Sequence, residues 1–441
     1  MVLTVPLALP DEFVAKYALD LGVSSRWVHE HVSAAFGATG DMYVMSKVWR
    51  YMPDGEVAED PVKQSVSAWL IARYAAGGGD VPAAFAVFLT PAVFSKFGDV
   101  SDLRMAVLPD GNLVLAGRPD ITYLVAGDLS RVVGSYTTDP YRMPFQPYTV
   151  GNPFATHVQV TPGGRLLCTV AEFGVRGTSR IAPNLVAVAD AALTAEHRPV
   201  LRAIAAMDAA PVKQDAELDV RPYVHFEGRP VGLDHRPGPG LGDQVDRLWP
   251  PRYSHGNHWL GHPVALADDR FVVPVFGRLF RGGNRGKQFA FVLMDDAGEV
   301  LGRLEGLDLY RDSPFTGECY RVSADPRSGR VFHLNRYGLY AWSADGTLLA
   351  KVATDTKPFT LLKNFTLLGC DPDGSLVLAQ DKQNLLVRLP VPADGLAEGL
   401  ARAVADGLAA FGKQRTALKK RWTPQEWHWT FRPEPGRLHH L

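Results

Sequence analysis

RMAVLPDGNLVLAG, from Arg104 to Gly117, reads as two short strands around a tight turn. The flanks are rich in Val, Leu and Met, as half-buried strands are. Asp110-Gly111 supplies residues that tolerate the positive φ a hairpin turn demands. The phrase recurs as AAFGATGDMYVMS from Ala34, HVQVTPGGRLLCTV from His157 and HPVALADDRFVVPV from His262. It recurs again as RVSADPRSGRVFHL from Arg321 and LLGCDPDGSLVLAQ from Leu367. A third apolar segment follows most copies: ITYLVAG from Ile121, NLVAVAD from Asn184, FAFVLMD from Phe289, GLYAWSADG from Gly338 and NLLVRLP from Asn384. Some lead through another turn into a fourth, such as EVLGRLEG after DDAG and TLLAKVAT after SADG. Four meandering strands per unit make the blade of a β-propeller. No helical period separates the strands, which excludes an alternating α/β plan. The expected fold class is therefore all-β, with short N-terminal and C-terminal helices.

The shared phrase, an apolar run followed by D-P-D-G and then L-V-L-A, resembles the repeats of six-bladed propellers of the NHL and SMP-30/lactonase-like type. The resemblance covers roughly residues 32 to 390 and is specific for the blade. It implies a fold shared by enzymes, ligand binders and scaffolds, so it does not select a function. The turn markers Gly40, Gly111, Gly164, Asp269, Gly329 and Gly374 stand 71, 53, 105, 60 and 45 residues apart. Six blades are expected, and the long third interval leaves room for a seventh. Against a seventh, the seven prolines between Ala210 and Asn257 suit a strand poorly. Residues 207–256 read as a long insertion with one hairpin around YVHFEGRPVGL, able to act as a lid that carries His225, His235 or His255 toward the channel.

The chain has 441 residues and a net charge of −1 with both signs dispersed, which argues against a nucleic-acid backbone as partner. Cys168, Cys319 and Cys370 form no CxxC pair, so a reducing compartment is expected. The start lacks the basic and apolar regions of a signal peptide, and no stretch suits a membrane span. A cytoplasmic location without membrane contact follows as an expectation.

Residues 1–31 read as a helical lead-in, with a helix over 10–21 and a helix–turn into the first blade through GVSSRWVHEHV. The propeller spans 32–390, and 391–441 hold a helix and an aromatic tail. In that helix Leu396, Leu400, Val404, Leu408 and Phe411 fall on one stripe, expected to pack on the propeller wall or to dock a partner. The tail carries Trp422, Trp427, Trp429 and Phe431. Its alternation suits a strand that completes the first or last blade, or a docking element.

One column of the repeat carries chemistry. Three residues before the last apolar position of each first strand stand Ser33, Arg104, His157, His262, Arg321 and Leu367. First strands line a propeller's channel, so these side chains are expected to converge on the axis near one mouth. Two copies agree further upstream: GNPFATH ends at His157 and GNHWLGH at His262, so Asn152, Asn257 and the adjoining His258 join the candidate set. Arginine offers forked donors for carboxylate or phosphate, and histidine can shuttle a proton near neutral pH. The expected ligand is a small anion or an acidic side chain of a protein partner. Each residue can equally bond to a neighbouring blade.

The histidine-rich segment up to His262 invites a metal, but it has no HExxH spacing, and the carboxylate and amide ligands implied by the lactonase-like resemblance are absent from the column. No metal or other cofactor is expected. No GxSxG elbow, phosphate loop or dinucleotide fingerprint is present. The basic turn FRGGNRGKQF reads as a long hairpin tip. The sequence thus favours a non-enzymatic binding module or scaffold. The alternative is a hydrolase or lyase of the lactonase-like type with His157 or His262 as base or metal ligand.

Overall fold

The computed structural model describes residues 3–6, 24–26, 30–51, 66–77, 82–91, 94–95, 98–99, 103–117, 121–137, 154–172, 182–190, 202–206, 223–226, 229–232, 258–260, 262–281, 284–307, 322–380, 385–421, 426–428 and 438–440. Within them the chain is an all-β propeller with one long helix. Sheet I holds Glu30–Phe36, Met42–Tyr51, Val66–Tyr74 and Ala84–Pro91, with Leu438–His440 added outside. Sheet II holds Leu103–Val107, Leu113–Gly117, Ile121–Val125 and Val132–Thr137. Sheet III holds Phe154–Val160, Arg165–Glu172, Ala182–Asp190 and Arg202–Ala206.

Sheet IV is irregular: His258–Leu260 and Val264–Ala265 share the inner edge of Phe271–Arg281, followed by Asn284–Met294 and Val300–Arg303. Sheet V holds Ser323–Ala324, Val331–Asn335, Gly338–Trp342 and Leu348–Ala353. Sheet VI holds Thr366–Cys370, Leu376–Gln380 and Leu385–Leu389, and the N-terminal Leu3–Pro6 is its outer strand. The inner strands neighbour one another in order, and that of sheet VI returns to that of sheet I.

The turn markers behave as their residue types require. Gly40, Gly111, Gly164, Gly329 and Gly374 have φ between 68° and 89°, and Asp269 has φ 58°. At Gly111 the loop closes with Gly111 N–H on Leu108 O and Leu108 N–H on Asn112 O, at 2.9 and 2.7 Å. The same pair of bonds recurs at Gly40, Gly164 and Gly374. This is a type I turn followed by a left-handed residue, one of the common hairpin solutions. Asp269 fills the position because a short polar side chain tolerates left-handed backbone.

The core lies in layers between successive sheets, so each unit adds its own apolar burial. Trp69, Met45 and Ile71 of sheet I pack with Met105, Leu115 and Tyr123 of sheet II. Phe291 and Val272 of sheet IV meet Tyr340 and Trp342 of sheet V. Between sheets V and VI, Phe332 and Leu334 meet Leu376 and Leu378, and the helix Leu396–Arg421 joins that layer. Leu396, Leu400, Val404, Leu408 and Phe411, the stripe read from the sequence, are all buried. Phe411 meets Phe365 edge to face at 5.2 Å. The helix rests on the wall formed by Leu348–Ala353, Leu385–Leu389 and the N-terminal strand.

The ends differ from the sequence reading. The expected helix at 10–21 lies outside the described residues. Ser24–Arg26, read as part of the helix–turn, is a strand, and the first strand of sheet I starts at Glu30, two residues before the expected start of the propeller at 32. Ser24–Arg26 pairs with Glu426–His428 of the tail, so a long-range partner overrides local propensity. The tail does supply an outer strand, Leu438–His440, to sheet I. Trp427 lies in the strand Glu426–His428, while Trp422, Trp429 and Phe431 fall outside the described residues. No helix among the described residues is long and apolar enough to cross a membrane.

Candidate functional site

Each inner strand runs toward its tight turn. The column therefore sits at the opposite face of the disc. Ser33 pairs with Met45, Arg104 with Ala116, His157 with Thr169 and Leu367 with Leu378. His262 forms an isolated bridge just before Val264–Ala265. Ser33, Arg104, His157, His262 and Leu367 all stand seven residues before their turn marker. Arg321 immediately precedes the described Val322 and lies outside the described residues, as do Asn152 and Asn257. His258 opens the strand Leu260 closes and pairs with Gly277.

An irregularity recurs at this level. The pairing slips between Glu30 and Ser33 in sheet I and between Ala155 and His157 in sheet III. In sheet IV the inner strand breaks after Leu260 and resumes at Val264. The two GNxΦxxH copies thus end alike, each with its histidine just after a break or bulge. Bulges re-aim side chains and are frequent beside functional sites.

The expectation that the column converges on the axis meets a different arrangement at Arg104. Met105 and Val107 face sheet I, where they pack with Ala35 and Met45. By strand alternation Arg104 lies on the other face, toward sheet III. It is only 7% exposed, against a half-buried His262. Leu367 is buried in the apolar layer of sheet VI.

Neighbouring inner strands touch through residues two or three positions after the column. Gln159 Oε1 accepts the Ala265 N–H at 3.2 Å, joining sheets III and IV. Ser323 shares a side-chain hydrogen bond with Cys370 across sheets V and VI. Burial pushes the Cys370 thiol well above its ordinary pKa in spite of that bond, so it stays a protonated packing group. Gly369 lies against Phe36 across sheets VI and I.

The 207–256 insertion leaves Ala206 and returns at His258, on the same face as the column. Its expected hairpin is present, as Tyr223–Phe226 paired with Arg229–Gly232. That hairpin lies beside the outer strand Val132–Thr137 of sheet II. The described part of the insertion, with His225, is thus at the rim rather than over the channel mouth. His235 and His255 lie outside the described residues.

Several polar contacts between and within sheets have no counterpart in the sequence reading. Arg165 donates to Asp269 at 2.6 Å and to Asp296 at 3.4 Å, across sheets III and IV. The Tyr43 hydroxyl donates to Gly127 O at 2.8 Å, and Trp342 Nε1–H to Glu305 O at 2.7 Å. Asp371, 2% exposed at its side chain, accepts Arg388 Nε–H at 2.8 Å and Ser375 N–H at 2.9 Å. Burial raises the pKa of Asp41, but the Ala76 N–H and the Arg73 guanidinium outweigh it and hold the carboxyl below its ordinary value. The available signal was the residue after each marker: Asp41, Arg165, Arg270 and Arg330 are charged in four copies. Among the described residues no group of three or more His, Cys, Asp or Glu is placed to hold a metal ion.

No protein-family model matches the chain, and no curated protein matches it. The WD40 β-propeller domain of Doa1, in its crystal structure, is similar at 12% identity and a TM-score of 0.32, over 86% of this chain and 97% of that one.

Proposed function

We propose that this protein is a non-enzymatic propeller that binds a small anion, or the acidic side chain of a protein partner, at the face bearing Arg104, His157, His262 and Arg321. The observation that carries this reading is the shared register of Arg104, His157 and His262 on three successive inner strands. The break or bulge before each histidine supports it, as does the burial of the Arg104 position. An arginine fork matches the geometry of a carboxylate or phosphate. Asn152, Asn257 and His258 stand beside the two histidines in the chain and belong to the same proposed site.

Thermal-shift titration with inorganic phosphate, citrate and glutamate tests the reading. At least one anion raises the Tm of the wild type, and Arg104→Met removes the rise. A rise that survives Arg104→Met, or no rise with any of them, contradicts binding at this column.

The same repeat supports six blades. The turn markers are spaced one per sheet from I to VI, and the inner-strand neighbours run through those sheets and back to the first. Sheet IV is the irregular member, because its inner strand is broken in two.

A further inference from the structure

In sheet IV the strands Phe271–Arg281 and Asn284–Met294 stay paired to their last residues, Arg281 opposite Asn284, around Gly282-Gly283. Among the described residues their neighbours pair over a shorter length. On one edge His258 reaches only Gly277; on the other, Val300–Arg303 reaches Val292, and the Leu304 N–H bonds Phe291 O. Among the described residues the ribbon therefore runs alone beyond Gly277 and before Phe291. At about 3.3 Å per residue, its last four pairs extend roughly 13 Å past the described part of its neighbours. The tip lies on the same face of the disc as the column.

The ribbon is one-sided in charge. Arg278, Arg281, Arg285 and Lys287 stand in it, and no acidic residue occurs between Arg270 and Asp295. The register puts Arg278 directly opposite Lys287, and Phe280 opposite Arg285. By alternation positions 278, 280, 285 and 287 share one face. Like charges at directly opposed positions destabilise a strand pair, while opposite charges stabilise it. Like charges at these opposed positions make this a face that an anionic partner would stabilise.

We infer that this ribbon is a docking arm for an extended acidic peptide segment of a partner protein. The inference rests on reading the chain as a binding module, but it uses a different site from the column. A peptide is favoured because the edge of Asn284–Ala290 offers main-chain donors and acceptors with a two-residue period. A strand added there sets alternate carboxylates along Arg285 and Lys287. A nucleic-acid strand has no use for that edge.

Fluorescence anisotropy on the full chain tests this, with a fluorescein-labelled octapeptide alternating glutamate and valine and an oligo-dT of the same length. The peptide binds saturably and more tightly than the oligonucleotide. The double variant Arg285→Glu/Lys287→Glu weakens it by about tenfold or more, the loss expected for removing close charge pairs. Lys287→Glu alone also weakens binding and does not lower the Tm, because Arg278 then faces an acid. Unchanged peptide affinity in the double variant, tighter binding of the oligonucleotide, or a fall in Tm with Lys287→Glu overturns the inference. The Tm rise with a small anion, which Arg104→Met removes, persists in the Arg285→Glu/Lys287→Glu variant, so failure here is distinguishable from failure of the column.

Discussion

Gly369 of sheet VI stands so close to Phe36 of sheet I that a Cβ added to it would meet Phe36 Cε2 at 2.7 Å. These residues belong to the last and first inner strands, so their contact lies at the seam where the ring closes. A side chain at position 369 forces either the ring of Phe36 or the seam to move. Gly369→Val is expected to cost about 1–3 kcal/mol, the usual range for overpacking. Urea denaturation checks this, and Phe36→Ala in the same chain recovers part of the loss because the two sites share one contact.

Asp371 is the most enclosed turn carboxylate among the described residues, and Arg388 is its ion-pair partner. Asp371→Asn keeps the shape but weakens the charge-assisted bonds to Arg388 and to the Ser375 N–H. A loss of about 1.5–3 kcal/mol is expected, the range for hydrogen bonds to charged groups. Chemical denaturation measures it. A loss under about 0.5 kcal/mol would place the pair among ordinary surface ion pairs.

The pH dependence at Asp41 has a definite sign. Its folded pKa is depressed, so its contribution is fully present above the unfolded value of about 3.9. That contribution is lost as pH falls through the lower folded pKa. Asp41→Asn therefore destabilises at pH 7, and the gap to the wild type closes as pH drops below about 4. Parallel denaturation curves at several pH values check this; a gap that widens toward acid contradicts it.

Leu400 and Val404 are 1% and 0% exposed, at the centre of the stripe that seats the helix on sheets V and VI. Leu400→Ala is expected to cost about 2–5 kcal/mol, as core truncations do. A helix held free for a partner would lose almost nothing on that change. Thermal or urea unfolding of the isolated chain separates the two.

The repeat was legible because its signals are local. A Gly or Asp at each turn marker, flanked by apolar runs, announces a hairpin whatever lies elsewhere, and the markers have the positive φ that their types suggest. The helix stripe was legible for the same reason. Ring closure was not, since LTVP at Leu3–Pro6 has no local feature that names Leu385–Leu389 as its partner. The strand at Ser24–Arg26 likewise exists through a segment about 400 residues away in sequence, a separation with no local signature. At the site, sequence spacing put Arg104, His157 and His262 in one register. It did not give the direction of Arg104, because alternation points a residue only after its neighbours' packing is known.

His157 and His262, in register with Arg104, are the positions proposed to bind an anion. Isothermal titration of citrate into the wild type and into His157→Ala/His262→Ala, with Tm values matched, tests this proposal most directly. Saturable binding to the wild type and a loss of about tenfold or more in the double variant, equivalent to about 1.4 kcal/mol, are expected. Equal affinity in the two proteins, or no citrate binding to the wild type, contradicts it.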